Sequence, residues 1–133
     1  MAKISKLSQS LEDYLEMVHI QCLANKGIAH VKDIAQALSV KMPSVNKAMN
    51  ELKKLGLVSQ EPYTGIVLSP LGKKMAAKIL GRHFLLKSFL IRLGVPETIA
   101  NEDACKMEHI LSPETLSCIS TFVKGETPEV KED

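Results

Sequence analysis

The densest group of metal-seeking side chains in the sequence is Cys-Lys-Met-Glu-His at 105–109. Cys105, Glu108 and His109 stand at i, i+3 and i+4, so a helix through them projects a thiolate, a carboxylate and an imidazole from one side. By itself the motif reads equally well as a buried cysteine beside a surface Glu and His. Asp13 and Glu16 lie three residues apart, roughly 60° around a helix, on the side away from Leu11, Leu15 and Val18. Alone, these acids fit a helix start, with Ser10 and Asp13 as a capping box. His83 falls among Met75, Ile79, Leu86 and Leu90 on an inward helix face, where a core histidine is the plainer reading. Taken together, the three stretches offer the atoms that Mn(II), Fe(II), Co(II) or Zn(II) takes.

Positioning those groups falls to a predominantly helical chain. Ser10 is expected to cap a first helix with apolar positions Leu11, Leu15, Val18 and Cys22, ending near Asn25-Lys26-Gly27. A short amphipathic helix in VKDIAQALSV precedes another in KMPSVNKAMNELKKLGLV, with Pro43 and Ser44 at its start and Gly56 at its end. A gap of about three residues between two helices is helix-turn-helix spacing. Leu57-Val58 and Ile66-Val67-Leu68 flank a turn at Pro62-Tyr63-Thr64-Gly65 and read as a hairpin. Ser69 and Pro70 start a long helix that runs towards Gly94, with Gly81 its weak point. Further helices follow from Pro96 through NEDACKMEHIL and from Ser112-Pro113-Glu114.

This order, helix, helix, recognition helix, two-stranded wing, helix, is that of a winged helix-turn-helix. The fold class expected is mainly α: a DNA-binding domain over 1–72, a helical metal-binding domain over 73–125, which the resemblance described below makes the dimerisation domain too, and a disordered tail over 126–133. Lys41, Pro43, Ser44, Asn46 and Lys47 would face bases and phosphates from the recognition helix, with Tyr63 and Thr64 at the wing, while Val45, Met49, Leu52 and Leu55 face the core. Lys53, Lys54, Lys73, Lys74 and Lys78 read as solvated, some within reach of phosphate.

Composition agrees with this reading. At 133 residues and 45% apolar, with 4% aromatic residues and no Trp, the chain suits one helical domain with an appended part. Residues 1–82 hold 12 Lys+Arg against 6 Asp+Glu, a net of +6, and residues 83–133 hold 5 against 9, a net of −4. A basic front half suits a polyanion. No stretch reads as a signal peptide or membrane span, so a cytoplasmic protein is expected. Three cysteines without a CxxC, in a reducing compartment, are core or ligands rather than disulfides.

The chain resembles the diphtheria-toxin-repressor-like metal-dependent regulators, and most of all their short, manganese-responsive branch, which lacks a third, barrel-like domain. The carriers are SLEDYLE, VKDIAQALSVKMPSV, YTGIVLSPLGKK, GRHFLLKSFL and CKMEHILS, in the family's order and spacing. The resemblance implies a homodimer on a palindromic double-stranded DNA operator, with metal as corepressor. It also implies the ligand set Asp13, Glu16, His83, Cys105, Glu108 and His109. Asp13 and Glu16 look like the manganese branch, whereas Cys105 stands where that branch has a carboxylate and the iron branch a cysteine. Fe(II) or Mn(II) is the expected ion, with Co(II) or Zn(II) as alternatives. Lys87 and Asn101 replace the Glu and His of the iron branch's ancillary site, so no such site is expected. Competing readings are a winged-helix regulator that answers an organic ligand or protein partner, a constitutive architectural DNA binder and, most remotely, a metal-dependent hydrolase. No enzymatic activity is expected.

Overall fold

The computed structural model describes residues 7–61 and 65–125. Tyr63, Thr64 and the tail 126–133 lie outside them. The elements are α1 (Gln9–Ala24), α2 (Val31–Leu38), α3 (Met42–Lys54), β1 (Val58–Glu61), β2 (Gly65–Leu68), α4 (Pro70–Arg92), α5 (Glu97–Met107) and α6 (Pro113–Val123). Two compact units divide between Lys78 and Ile79, within α4.

Helix α1 begins earlier than its sequence suggests. Ser8, extended at φ −64° and ψ 158°, is the N-cap, and its hydroxyl accepts the Leu11 N–H at 3.1 Å. Ser10 is already in the first turn, so the capping box with Asp13 does not form. Tyr14, Leu15, Val18 and Cys22 are buried on one stripe and pack the helix against α2, α3 and β2. Between α2 and α3 the chain turns at Ser39, left-handed at φ 56° and ψ 43°. Its N–H reaches Gln36 O at 3.3 Å, and the Val40 N–H reaches Ala35 O at 3.0 Å. Those bonds satisfy carbonyls that the end of α2 leaves open. In α3, Val45, Ala48, Met49 and Leu52 are buried, the i, i+3, i+4, i+7 pattern of one helix face. Each large aliphatic side chain buried in this way contributes about 1.5–3 kcal/mol.

Strands β1 and β2 pair antiparallel, with Val58 opposite Leu68 and Glu61 opposite Gly65. Ala29 adds a bridge to Ile66, with N–H···O distances of 2.8 and 2.7 Å in the two directions, so β2 is tied near its start to the end of the α1–α2 connection. Ser69 links hairpin to helix: its hydroxyl donates to Gly56 O at 2.6 Å and accepts the Gly72 N–H at 3.0 Å. Gly72 lies so close to Leu57 that a Cβ would overlap the Leu57 carbonyl.

In the second unit, Gly81 leaves α4 unbroken to Arg92. Helix α5 is shorter than expected, with Glu108 as its C-cap and His109 in the turn beyond. The His109 N–H bonds Lys106 O at 3.4 Å and the Ile110 N–H bonds Met107 O at 3.1 Å, a tightening that frees the chain for the extended Ser112, N-cap of α6. No residue of α6 is buried. Arg92 of α4 donates to Val123 O at 2.6 Å and lies 5.6 Å from the Phe122 ring centroid, which closes the C-terminal end of α6.

Candidate metal centre

His83 shares the inward stripe of α4 with Ile79 and Leu86, and α5 brings its own stripe against the ring. His83 is only 8% exposed, and both of its ring nitrogens meet polar atoms. Nδ1 lies 3.2 Å from Glu108 Oε2 and 3.7 Å from Cys105 Sγ. Nε2 lies 2.9 Å from Asn101 Oδ1. The other carboxylate oxygen, Glu108 Oε1, lies 3.3 Å from His109 Nε2. Four of the six expected ligands, His83, Cys105, Glu108 and His109, are thus gathered in the second unit. Although Glu108 and His109 lie past the last regular turn of α5, Glu108 keeps helical angles of φ −60° and ψ −20°, so the i, i+3 relation to Cys105 survives.

Glu108 is 1% exposed. Removing a bare carboxylate from water costs several kcal/mol unless positive charge or strong hydrogen bonds offset it. Here an imidazole stands at each of its oxygens and a thiol stands beside one of those rings. Two nitrogens, one sulfur and a carboxylate are the donors that borderline divalent transition metals prefer, so these residues fit such an ion. Cys105 is solvent-exposed, which leaves the thiol accessible to an arriving ion.

Asp13 and Glu16 are half-buried on α1, in the first unit. Since Ser8 caps that helix, their place near its start is not explained by capping.

The residues expected to face nucleic acid lie in the first unit. Lys41, Pro43, Ser44, Asn46 and Lys47 are all exposed at the start of α3, opposite its buried stripe. Pro43 occupies the first turn, where its missing N–H costs nothing. Asn46 and Lys47 differ by one residue and point about 100° apart, so they can address different parts of a groove.

The other two cysteines have separate surroundings. Burial pushes the Cys22 thiol above its ordinary value, partly countered by the Lys73 charge and a backbone hydrogen bond at Leu68. Its Sγ is 3.9 Å from Ile66 O, so it serves as a neutral packing group. Cys118 is exposed and lines an apolar groove with Phe89, Leu93, Ile119 and Phe122. Two contributions were missed in the sequence: the Asn101 hydrogen bond to His83, signalled only by its i, i+4 spacing to Cys105, and the close approach at Gly72.

Residues 6–66 match the family described as iron dependent repressor, N-terminal DNA binding domain, and residues 69–130 match iron dependent repressor, metal binding and dimerisation domain. The chain is 40% identical over 119 residues to an uncharacterized HTH-type transcriptional regulator of Methanocaldococcus jannaschii, covering 89% of this chain and 95% of that one. It is 39% identical over 123 residues to the HTH-type transcriptional regulator MntR of Lysinibacillus sphaericus, covering 91% and 88%. Among solved structures, IdeR of T. acidophilum superposes with a TM-score of 0.75 at 28% identity, over 92% of this chain and 56% of that one. ScaR with bound Zn2+ does so at 0.72 and 26%, over 86% and 53%. The chain therefore spans about half the length of these solved relatives while matching nearly the whole of the shorter regulators.

Proposed function

The chain belongs to the iron-dependent repressor family, and from that premise we propose a homodimeric repressor that binds its DNA operator when a divalent transition metal is held by Asp13, Glu16, His83, Cys105, Glu108 and His109. The carrying observation is the Glu108 carboxylate, 1% exposed, with His83 Nδ1 and His109 Nε2 at its two oxygens. A bound ion would supply the positive charge that such a buried carboxylate calls for. Manganese is the metal of the manganese regulator SloR, a structural relative at 25% identity. Cys105 adds a soft thiolate, which tilts the set towards Fe(II), Co(II) or Zn(II) over Mn(II).

DNA contact falls to Lys41, Pro43, Ser44, Asn46 and Lys47, and to Tyr63 and Thr64 at the wing. Dimerisation falls to the second unit, where Leu93, Ile99, Ile110 and Phe122 are 59%, 48%, 73% and 44% exposed and α6 buries nothing within its own chain. Asp13 and Glu16 sit on α1, which packs on recognition helix α3. Shared ligation would couple α3 to the second unit and favour the spacing of two recognition helices that successive major grooves demand. Metal affinity and operator affinity are then reciprocally linked. The reading is of a cytoplasmic regulator that catalyses no reaction. Among the described residues, no helix is long and apolar enough to cross a membrane.

The test is operator binding across a panel of Mn(II), Fe(II), Co(II) and Zn(II), with chelator as the baseline. At least tenfold tightening, about 1.4 kcal/mol of coupling, is expected for the cognate ion. An operator affinity indifferent to every ion, or stoichiometric metal binding that survives Cys105→Ala with Glu108→Ala, overturns the assignment.

A further inference from the structure

Asn101, Cys105 and Glu108 stand at i, i+4 and i+7 along α5, one face of a helix, and that face meets both edges of the His83 ring. Cys105 Sγ and Glu108 Oε2 are at Nδ1, 3.7 and 3.2 Å away, and Asn101 Oδ1 is at Nε2, 2.9 Å away. A neutral imidazole has one N–H and one lone pair. A carbonyl oxygen at Nε2 calls for the proton there, which leaves the Nδ1 lone pair available to an ion shared with the thiol and carboxylate. Neighbouring Phe84, whose ring centroid is 5.7 Å away and inclined at 70°, bounds the imidazole on another side.

We infer that Asn101 is the positioning residue of the metal centre: by accepting the Nε2–H of His83 it selects the tautomer and ring orientation that present Nδ1 as the ligand atom. This rests on the metal-site reading above. A ligating histidine commonly donates its second N–H to a carboxylate, a backbone carbonyl or a water, and loss of such a partner typically costs 10–100-fold in metal affinity. A primary amide does the same work here without adding charge, so Asn101 leaves the formal charge of the site to the ligands themselves. Asn101 itself is exposed, and its replacement leaves no hole in the fold.

The experiment uses the full-length protein with Co(II) as probe, its affinity read by competition with a chromophoric chelator. The His83 tautomer is read separately by long-range 1H–15N NMR of the protein bound to diamagnetic Zn(II). Asn101→Leu removes the acceptor at nearly constant size, and Asn101→Asp keeps an acceptor that cannot donate. Asn101→Leu is expected to bind Co(II) roughly 10–100-fold more weakly and to lose the pure Nε2–H tautomer, with its thermal midpoint unchanged. Asn101→Asp is expected to bind at least as tightly as the wild type and to keep the tautomer. Wild-type affinity in Asn101→Leu, an unchanged tautomer in that variant, or equal weakening in Asn101→Asp overturns the inference. Glu108→Ala separates the two levels: if it binds Co(II) like the wild type, the metal-site reading itself fails, whereas if it abolishes binding while Asn101→Leu does not, only the role of Asn101 falls.

Discussion

His83 Nδ1 and Glu108 Oε2 lie 3.2 Å apart, one from the inward stripe of α4 and the other from the C-cap of α5, and both side chains are withdrawn from solvent. The contact gives the second unit a polar centre in place of a purely apolar one. Its chemistry follows from what each variant would leave behind.

Glu108→Gln keeps the volume and removes the charge. Co(II) affinity is expected to fall at least 100-fold, about 2.7 kcal/mol. Wild-type protein at 100 times its dissociation constant should gain about 2.7 kcal/mol of stability from the ion, and the variant at the same ion concentration no more than about 0.4 kcal/mol. Thermal unfolding with and without Co(II) measures both, and equal ion-induced shifts would count against ligation by Glu108.

Cys105→Ser replaces a soft donor by a hard one. The near-ultraviolet thiolate-to-metal absorption of the Co(II) complex should vanish, and relative preference should move from Co(II) and Zn(II) towards Mn(II). Retention of that absorption in the serine variant would show that another thiol supplies the sulfur.

On the DNA face, Lys47→Ala and Asn46→Ala should behave differently. Loss of a phosphate-contacting lysine weakens all sequences alike and reduces the slope of log K against log salt by about 1. Loss of a base-contacting asparagine costs about 1–3 kcal/mol on the operator alone and relaxes sequence choice. Fluorescence anisotropy on operator and scrambled duplexes separates the two, and identical behaviour would refute the division of labour.

Gly72→Ala tests the join between hairpin and α4. The added methyl meets the Leu57 carbonyl, a backbone atom that cannot rotate away. A loss of about 1–3 kcal/mol is expected from urea unfolding. Gly81→Ala, with nothing within 4 Å of the new Cβ, should be neutral or stabilising.

The Cys22 thiol is held above its ordinary value of 9.0 chiefly by burial. Its folded pKa being raised, its contribution to stability is complete below the unfolded value and is lost as pH rises from there through the folded one. Stability should therefore fall more steeply with alkaline pH in wild type than in Cys22→Ala. A disulfide-exchange reagent at neutral pH should modify exposed Cys105 and Cys118 well before Cys22. Early modification of Cys22 would contradict its burial.

Much of this was legible beforehand because helices impose a local rule. The alternation of buried Val45, Met49 and Leu52 with exposed Ser44, Asn46 and Lys47 follows from 100° per residue and needs no knowledge of the partner surface. The start of α1 was misread because Ser8 and Ser10 are equivalent in type, and only backbone angles distinguish a cap from a first-turn residue. The end of α5 was misread because Glu108 and His109 are compatible with a helix, and the departure is driven by the next cap at Ser112.

The sequence alone determined which side chains share a face: Cys105 with Glu108, Asp13 with Glu16, and Val45 with Met49 and Leu52. Spacing along one helix is covalent geometry, and no distant contact can alter it. Tertiary structure decided which edge of His83 meets which partner, that Asn101 stands at Nε2, and that Gly72 must lack a side chain. Those relations join residues on separate elements, and the approach of one element to another is set by the whole packed surface between them.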